Sequence, residues 1–182
     1  MRVLVRRLGA RRFLQGCLLH LGKAALAEGR HDEAVALLEE ALAISRETGI
    51  GFHGPNIMGA IAAAAADPEE RRRALAEAEQ TIRRGCVAHN QLRFYPEGID
   101  VALDLGEWGE AERYAAALEE FTRAEPLPWS DFFVARGRAL AAIGRGCADE
   151  RTARELQRLQ AESHRHGYRT ALPALEQALA AS

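Results

Sequence analysis

Apolar residues in this chain recur at spacings of three and four, and no β-branched run alternates long enough to suggest a sheet. The clearest stretch is Leu18 to Leu42. Leu18, Leu21, Gly22 and Ala25 fall on one face of a first helix, and Ala34, Leu38, Ala41 and Leu42 on one face of a second. Gly29 and His31 mark the turn between them. The stretch predicts a hairpin of two short amphipathic helices. Its apolar stripe is too wide for one hairpin to bury, so a neighbour must cover it.

The same reading predicts about nine helices. The first two cover roughly 11–28 and 31–47, and a third starts at Pro55 and ends near Ala66. Asp67-Pro68 is a start signal for the fourth, with Asp as cap and Pro at the first helical position, and Gly85 ends it. A fifth spans about 88–105. Pro96 falls inside it, and the alternative reading of this stretch is a loop followed by a helix from Pro96. The sixth runs to about Arg123. The seventh starts at Pro128 or Ser130 and stops at Gly144 or Gly146. Asp149 caps the eighth and Thr170 a short last one.

These helices repeat. Ala34, Ala74, Ala111 and Ala153 each sit early in a second helix, spaced by 40, 37 and 42 residues. The turns Gly29 to Glu33 and Gly106 to Glu110 share a shape: Gly, a polar residue, an aromatic (His31 or Trp108), two further residues, then Ala34 or Ala111. Gly29 and Gly106 suit a chain reversal with φ > 0, and the two alanines suit closely approaching backbones. His31 and Trp108 are expected to plug the gap between paired helices. The predicted fold is all-α, an array of antiparallel helix hairpins forming a single domain over 11–182 behind a basic extension over 1–10.

Composition sharpens this picture little. Alanine makes up about a fifth of the chain and favours helix. The formal net charge of -2 gives no global attraction for nucleic acid or an acidic membrane surface. Positive charge is almost all arginine, with Lys23 the only lysine, as in proteins of GC-rich bacterial genomes. Cys17, Cys86 and Cys147 are odd in number and far apart, which fits a reducing cytoplasm better than a disulfide framework or a metal knuckle. No segment approaches the length of a membrane span.

Candidate chemistry is sparse. His164 and His166, at i and i+2 of a helix, point to different faces and do not chelate well. Cys86, His89 and Asn90 are the residue types of a cysteine nucleophile set, and a small cysteine-dependent hydrolase is the alternative function they raise. Such sets, however, are gathered by the fold from distant positions, and these three lie within five residues. Arg71 to Arg73, with Arg83 and Arg84, are offset by Glu69, Glu70, Glu77 and Glu79 and read as a solvated face. The aromatics Phe94, Tyr95, Trp108, Tyr114, Phe121, Trp129, Phe132 and Phe133 read mainly as core.

Residues 18 to 42 resemble a tetratricopeptide repeat (TPR) unit. Residues 12 to 180 resemble the C-terminal helical-repeat region of bacterial regulators that join a class III adenylate/guanylate cyclase or a LuxR-type DNA-binding domain to an AAA/NACHT-like ATPase. The segments carrying this are ALLEEALAISRETG (from Ala36), DPEERRRAL (from Asp67), GCVAHN (from Gly85) and, above all, Gly106 to Gly146. The resemblance implies a right-handed superhelical TPR-like α-solenoid and a non-enzymatic interaction or regulatory role. Its partner would be a protein or peptide segment, including a separate cyclase or ATPase chain, with no cofactor, metal, nucleic acid or membrane. The cyclase and ATPase parts lie outside this chain, which holds no GxxxxGK[ST] phosphate loop. In TPR arrays the first helix of each hairpin lines the concave side, which nominates Asn56, His89, Asn90, Arg93, Asp131 and Arg136 as groove residues. A purely structural oligomerisation fragment is the further alternative.

Overall fold

The computed structural model describes residues 11–147 and 149–181. The predicted basic extension over 1–10 lies outside them. All regular structure among the described residues is helical. The helices are α1 (Arg11–Ala27), α2 (His31–Thr48), α3 (Gly54–Ala64), α4 (Pro68–Arg84), α5 (His89–Asp104), α6 (Trp108–Thr122), α7 (Pro128–Gly144), α8 (Glu150–His166) and α9 (Leu172–Ala181), with a 3-10 turn at Arg169–Ala171 before the last. No helix among the described residues is long and apolar enough to cross a membrane.

The helix ends follow local chemistry. Asp67 caps α4, its carboxylate accepting from the Glu69 N–H at 3.1 Å, with Pro68 as first residue. Asp149 caps α8 through the N–H and hydroxyl of Thr152, both at 2.7 Å. Gly29 and Gly106 close α1 and α5 with φ of 75° and 71°, a conformation in which a Cβ costs about 1 kcal/mol or more. Their bonding is identical. The glycine N–H reaches back three residues (to Leu26 or Leu103) and the next N–H five (to Ala25 or Ala102). Gly146 repeats both bonds after α7. The next helix then starts so that Ala34, Ala111 and Ala153 are each its fourth residue.

Pro96 does not break α5. It lacks the N–H that the Leu92 carbonyl would use, a defect of about 3 kcal/mol in a free helix. The flanking packing outweighs it, since Phe94 and Ile99 are fully buried on either side and Pro96 is itself buried.

The chain divides into two compact units, Met1–Gly98 and Ile99–Ser182, with the division inside α5. In the first, α1 packs on α2, α2 on α3 and α3 on α4, and α1 also touches α3. In the second, α6 packs on α7, α7 on α8 and α8 on α9, and α7 also touches α9. Helices therefore pack on sequence neighbours or next-but-one neighbours, which is the contact pattern of helical repeats.

Close approach is set by small residues facing large ones. A Cβ on Gly22 would lie 2.7 Å from the Leu38 side chain and 3.3 Å from the Ala34 carbonyl oxygen. Ala34 and Leu38 have no exposed surface. Leu21, on the same turn as Gly22, faces solvent instead. The two matching turns part at their aromatic. His31 is exposed as the first residue of α2, whereas Trp108 is half-buried with its ring against Gly144 of α7. The imidazole is too short to reach the seam from that position, and the indole is not.

Gly22→Ala sets a helix-propensity gain of up to about 1 kcal/mol against an overpacking cost of about 1–3 kcal/mol. Because Leu38 is fully buried and the Ala34 carbonyl oxygen is also close, a net loss of about 1 kcal/mol is expected in urea denaturation. Gly109→Ala, where a Cβ would meet nothing within 4 Å, is expected to be neutral or to gain up to about 0.5 kcal/mol. A stabilised Gly22→Ala would contradict the close α1–α2 contact.

Candidate functional site

In the first unit, the polar groups on α1, α3 and α5 meet one another. The Lys23 ammonium donates to the Asn56 side-chain oxygen at 2.9 Å and pairs with the Glu97 carboxylate, both charged groups being largely shielded. Gly59 makes room for this, since a Cβ there would lie 2.6 Å from Glu97 Oε2 and 3.3 Å from Phe94. Asn90, fully buried, donates its amide to the carbonyls of Gly51, Phe52 and Val87 at 3.0–3.2 Å and accepts from the Asn56 N–H at 3.4 Å. It thereby ties the 49–53 loop to the start of α5.

A histidine pair spans that junction, with His53 at the end of the loop and His89 at the start of α5. His53 Nδ1 and His89 Nε2 are 3.2 Å apart, so one ring donates and the other accepts. Phe52 packs on both rings, and the Arg12 guanidinium lies 4.2 Å from the Phe52 centroid. Burial, and then the positive charges of His89, His20 and Arg12, push His53 below the usual imidazole range. Burial pushes the Cys86 thiol up, away from the thiolate a nucleophile needs, while the His89 ring is engaged with His53.

In the second unit, a cavity of about 570 Å³ opens among α5, α6, α7 and α9. Its apolar wall is Leu103, Leu140, Ile143, Pro173, Ala174 and Ala178, with Trp108 beside Gly144. Thr170 and Gln177 add uncharged polar groups. Its charged groups are Asp100, Asp104 and Arg136. Arg136 is only 3% exposed. Its Nη1 donates to Asp100 Oδ1 at 2.5 Å and its Nε to the Ala171 carbonyl at 3.4 Å. Asp100 is 46% exposed, so the pair has one buried and one wet end. Gly137 lets α5 and α7 approach here, since a Cβ would lie 2.7 Å from Ile99.

The six residues nominated from the sequence therefore fall in two places. Asn56 and Asn90 are buried and bonded to each other, His89 is half-buried next to Asn90, and Arg93 is exposed, all in the first unit. Arg136 lines the cavity of the second unit, and Asp131 is exposed at the start of α7. Sequence reasoning missed Lys23, Glu97, Asp100 and Asp104. The available signal was a lone lysine and mid-helix acids within apolar stretches. His164 and His166 are exposed in the last turn of α8, and no group of three His, Cys, Asp or Glu able to hold a metal occurs among the described residues. In the arginine run, Arg72 pairs with Glu69 and Arg71 donates to the Ala62 carbonyl at 2.9 Å. No protein family, curated protein or solved structure matches the chain.

Two measurements check this geometry. Asp100→Ala leaves a guanidinium buried without its countercharge and is expected to cost about 3 kcal/mol in denaturant unfolding. For His53, the folded pKa lies below the unfolded value of 6.5, so the unfolded chain binds the proton more readily. Stability is therefore full above pH 6.5 and falls as pH drops through that value toward the folded pKa. His53→Gln should flatten the decline in Tm between about pH 7 and pH 5. An unchanged slope would place the pH dependence elsewhere.

Proposed function

We propose that the chain is a cytoplasmic, non-enzymatic protein-interaction module. In this reading it is a right-handed TPR-like solenoid, akin to the tail of a bacterial regulator joining a cyclase or DNA-binding domain to an ATPase. The observation that carries the reading is the recurrence of one turn. The glycine closures at Gly29, Gly106 and Gly146 make the same pair of bonds, and each leads into a helix with alanine fourth. Gly106 and Gly146 are 40 residues apart, and Gly29 and Gly106 are 77 apart, close to two such periods.

Two further features support it. First helices of successive hairpins touch, α1 with α3 and α7 with α9, as they do along the inside of a solenoid. The cavity of the second unit is walled largely by first helices, with α5, α7 and α9 supplying most of its lining. The protein's binding surface would then be a face of packed helices offering a few polar anchors, the kind of surface that takes peptide segments.

Far-ultraviolet circular dichroism tests the architecture: a signal dominated by helix is expected, and one dominated by strand would overturn the reading. For function, the chain alone is expected to show no turnover of ATP, whereas added to the catalytic portion of a cyclase–ATPase regulator it should change that portion's turnover. ATP turnover by the isolated chain, lost in Cys86→Ala, would overturn the non-enzymatic reading.

A further inference from the structure

We propose that the histidine junction of the first unit binds a tetrahedral oxyanion, a phosphate dianion either free or at the end of a small monoester. This goes beyond the interaction-module reading and does not depend on it. Three observations lead to that ligand: charge of a single sign, an unused donor, and the arrangement of donors around a glycine.

The charged groups that act on His53 are His89 at the start of α5 and His20 and Arg12 on α1, all of them cationic when protonated. None of the four has a carboxylate partner among the described residues. Arg12 lies on the Phe52 ring, His89 is bonded to His53, and His20 is exposed. Other charges on the neighbouring elements are spent elsewhere: Arg11 on Glu47 of α2 and Lys23 on Glu97 of α5. Arg93, one turn along α5 from His89, is again a cation. Burial keeps the Cys86 thiol protonated. The sequence ahead of Arg11 adds three arginines and no acid. Helices α3 and α5, of 11 and 16 residues, both start at the pair, so their positive dipole ends point the same way. A cation is repelled from this junction and an anion attracted.

The unused donor is His53 Nε2. Nδ1 of that ring is taken by His89 Nε2, and Nε2 has no partner among the described residues. It stands over Gly16 of α1, where a Cβ would lie 3.2 Å away. Arg12 and His20 flank Gly16 at intervals of four residues, on the same face of the helix. An oxyanion above Gly16 accepts from His53 Nε2 on one side and from Arg12 and His20 on the others. That fixes the tautomers: His89 Nε2–H donates to His53 Nδ1, and His53 Nε2–H to the ligand. A planar carboxylate suits Arg12 alone, whereas donors placed around a glycine suit oxygens pointing in several directions. Binding and protonation of His53 are reciprocal, so affinity rises as pH falls through the imidazole range, until phosphate loses its own second charge at about pH 6.

The chain has six histidines, whose Cε1–H resonances are followed by proton NMR. His53→Gln and His20→Gln assign the two that matter. At about pH 6.5 and constant ionic strength, inorganic phosphate and glycerol 3-phosphate are each expected to shift the His53 and His20 resonances saturably, with a Kd of about 1 mM. Acetate should bind at least about tenfold more weakly. Sulfate keeps its charge throughout, so it isolates the imidazoles, and its affinity should rise about tenfold from about pH 7.5 to about pH 5.5. Arg12 and His20 are exposed, so Arg12→Gln and His20→Gln should keep the wild-type circular dichroism and each weaken phosphate about tenfold. His164→Gln, exposed on α8 of the second unit, should leave binding unchanged.

An equal response to acetate overturns the tetrahedral selection. A sulfate affinity that is flat with pH overturns the part played by the imidazoles. Binding that survives both Arg12→Gln and His20→Gln, or shifts confined to His164 and His166, overturns the site. No saturable shift with any oxyanion overturns the proposal as a whole. None of these results bears on ATP turnover, so the interaction-module reading and this one fail separately.

Discussion

Helix backbones in this protein come close because one partner, at the contact, has no side chain. Gly22 faces Leu38, Gly59 faces Phe94 and Glu97, Gly137 faces Ile99 and Gly144 faces Trp108. In each case a Cβ would lie between 2.6 and 3.3 Å from the facing side chain. A wider separation would leave voids around the large residues, and interiors tolerate few voids. The large partner is buried because the small one is small. Leu38, Phe94 and Ile99 have no exposed surface. Alanine-rich helices thus reach close packing without many bulky side chains, which an aromatic fraction of 6% would not supply.

Close packing decides what the polar residues do. Where backbones approach this tightly, a polar group at the seam has little access to water and gains from a partner in the protein, although the side chains of Gln15, Ser45 and Ser130, all fully buried, have none among the described residues. Lys23 bonds to both Asn56 and Glu97 across three helices, and Asn90 donates its amide to the carbonyls of Gly51, Phe52 and Val87. Arg136 is the different case. Its burial matches that of the asparagines, yet its five donors exceed the acceptors around it. The contrast comes from geometry: a planar fork has more donors than one aspartate and one carbonyl can accept.

What was legible in the sequence follows the range of the interaction responsible. Gly29 and Gly106 were readable as turns because positive φ is a property of a single residue. Asp67 and Asp149 were readable as caps because the bonds they make span two or three residues. Pro96 left two readings of α5 open because its local penalty was visible and the burial of Phe94 and Ile99 that outweighs it was not. Lys23 and Glu97 are 74 residues apart, and only the fold joins them. Asn56, Asn90 and Arg136 could be placed on first helices from the hairpin pattern, but whether each would be spent on the protein or left facing a cavity depends on neighbours no spacing encodes.

Two turns that match in sequence therefore serve unlike ends. The Gly29 and Gly106 closures make the same bonds and launch helices in the same register, yet His31 stays in solvent while Trp108 lies over Gly144. The hydrogen-bonded frame depends on the glycine and on backbone groups, so it survives replacement of the aromatic. The seam depends on side-chain volume. An indole fills space beside a glycine that an imidazole at the same position cannot reach. Backbone closure can thus persist through a degenerate array while side-chain volume changes from one turn to the next. In this chain the second turn has the larger ring, and that ring forms part of the wall of the cavity in which Arg136 keeps its unused donors.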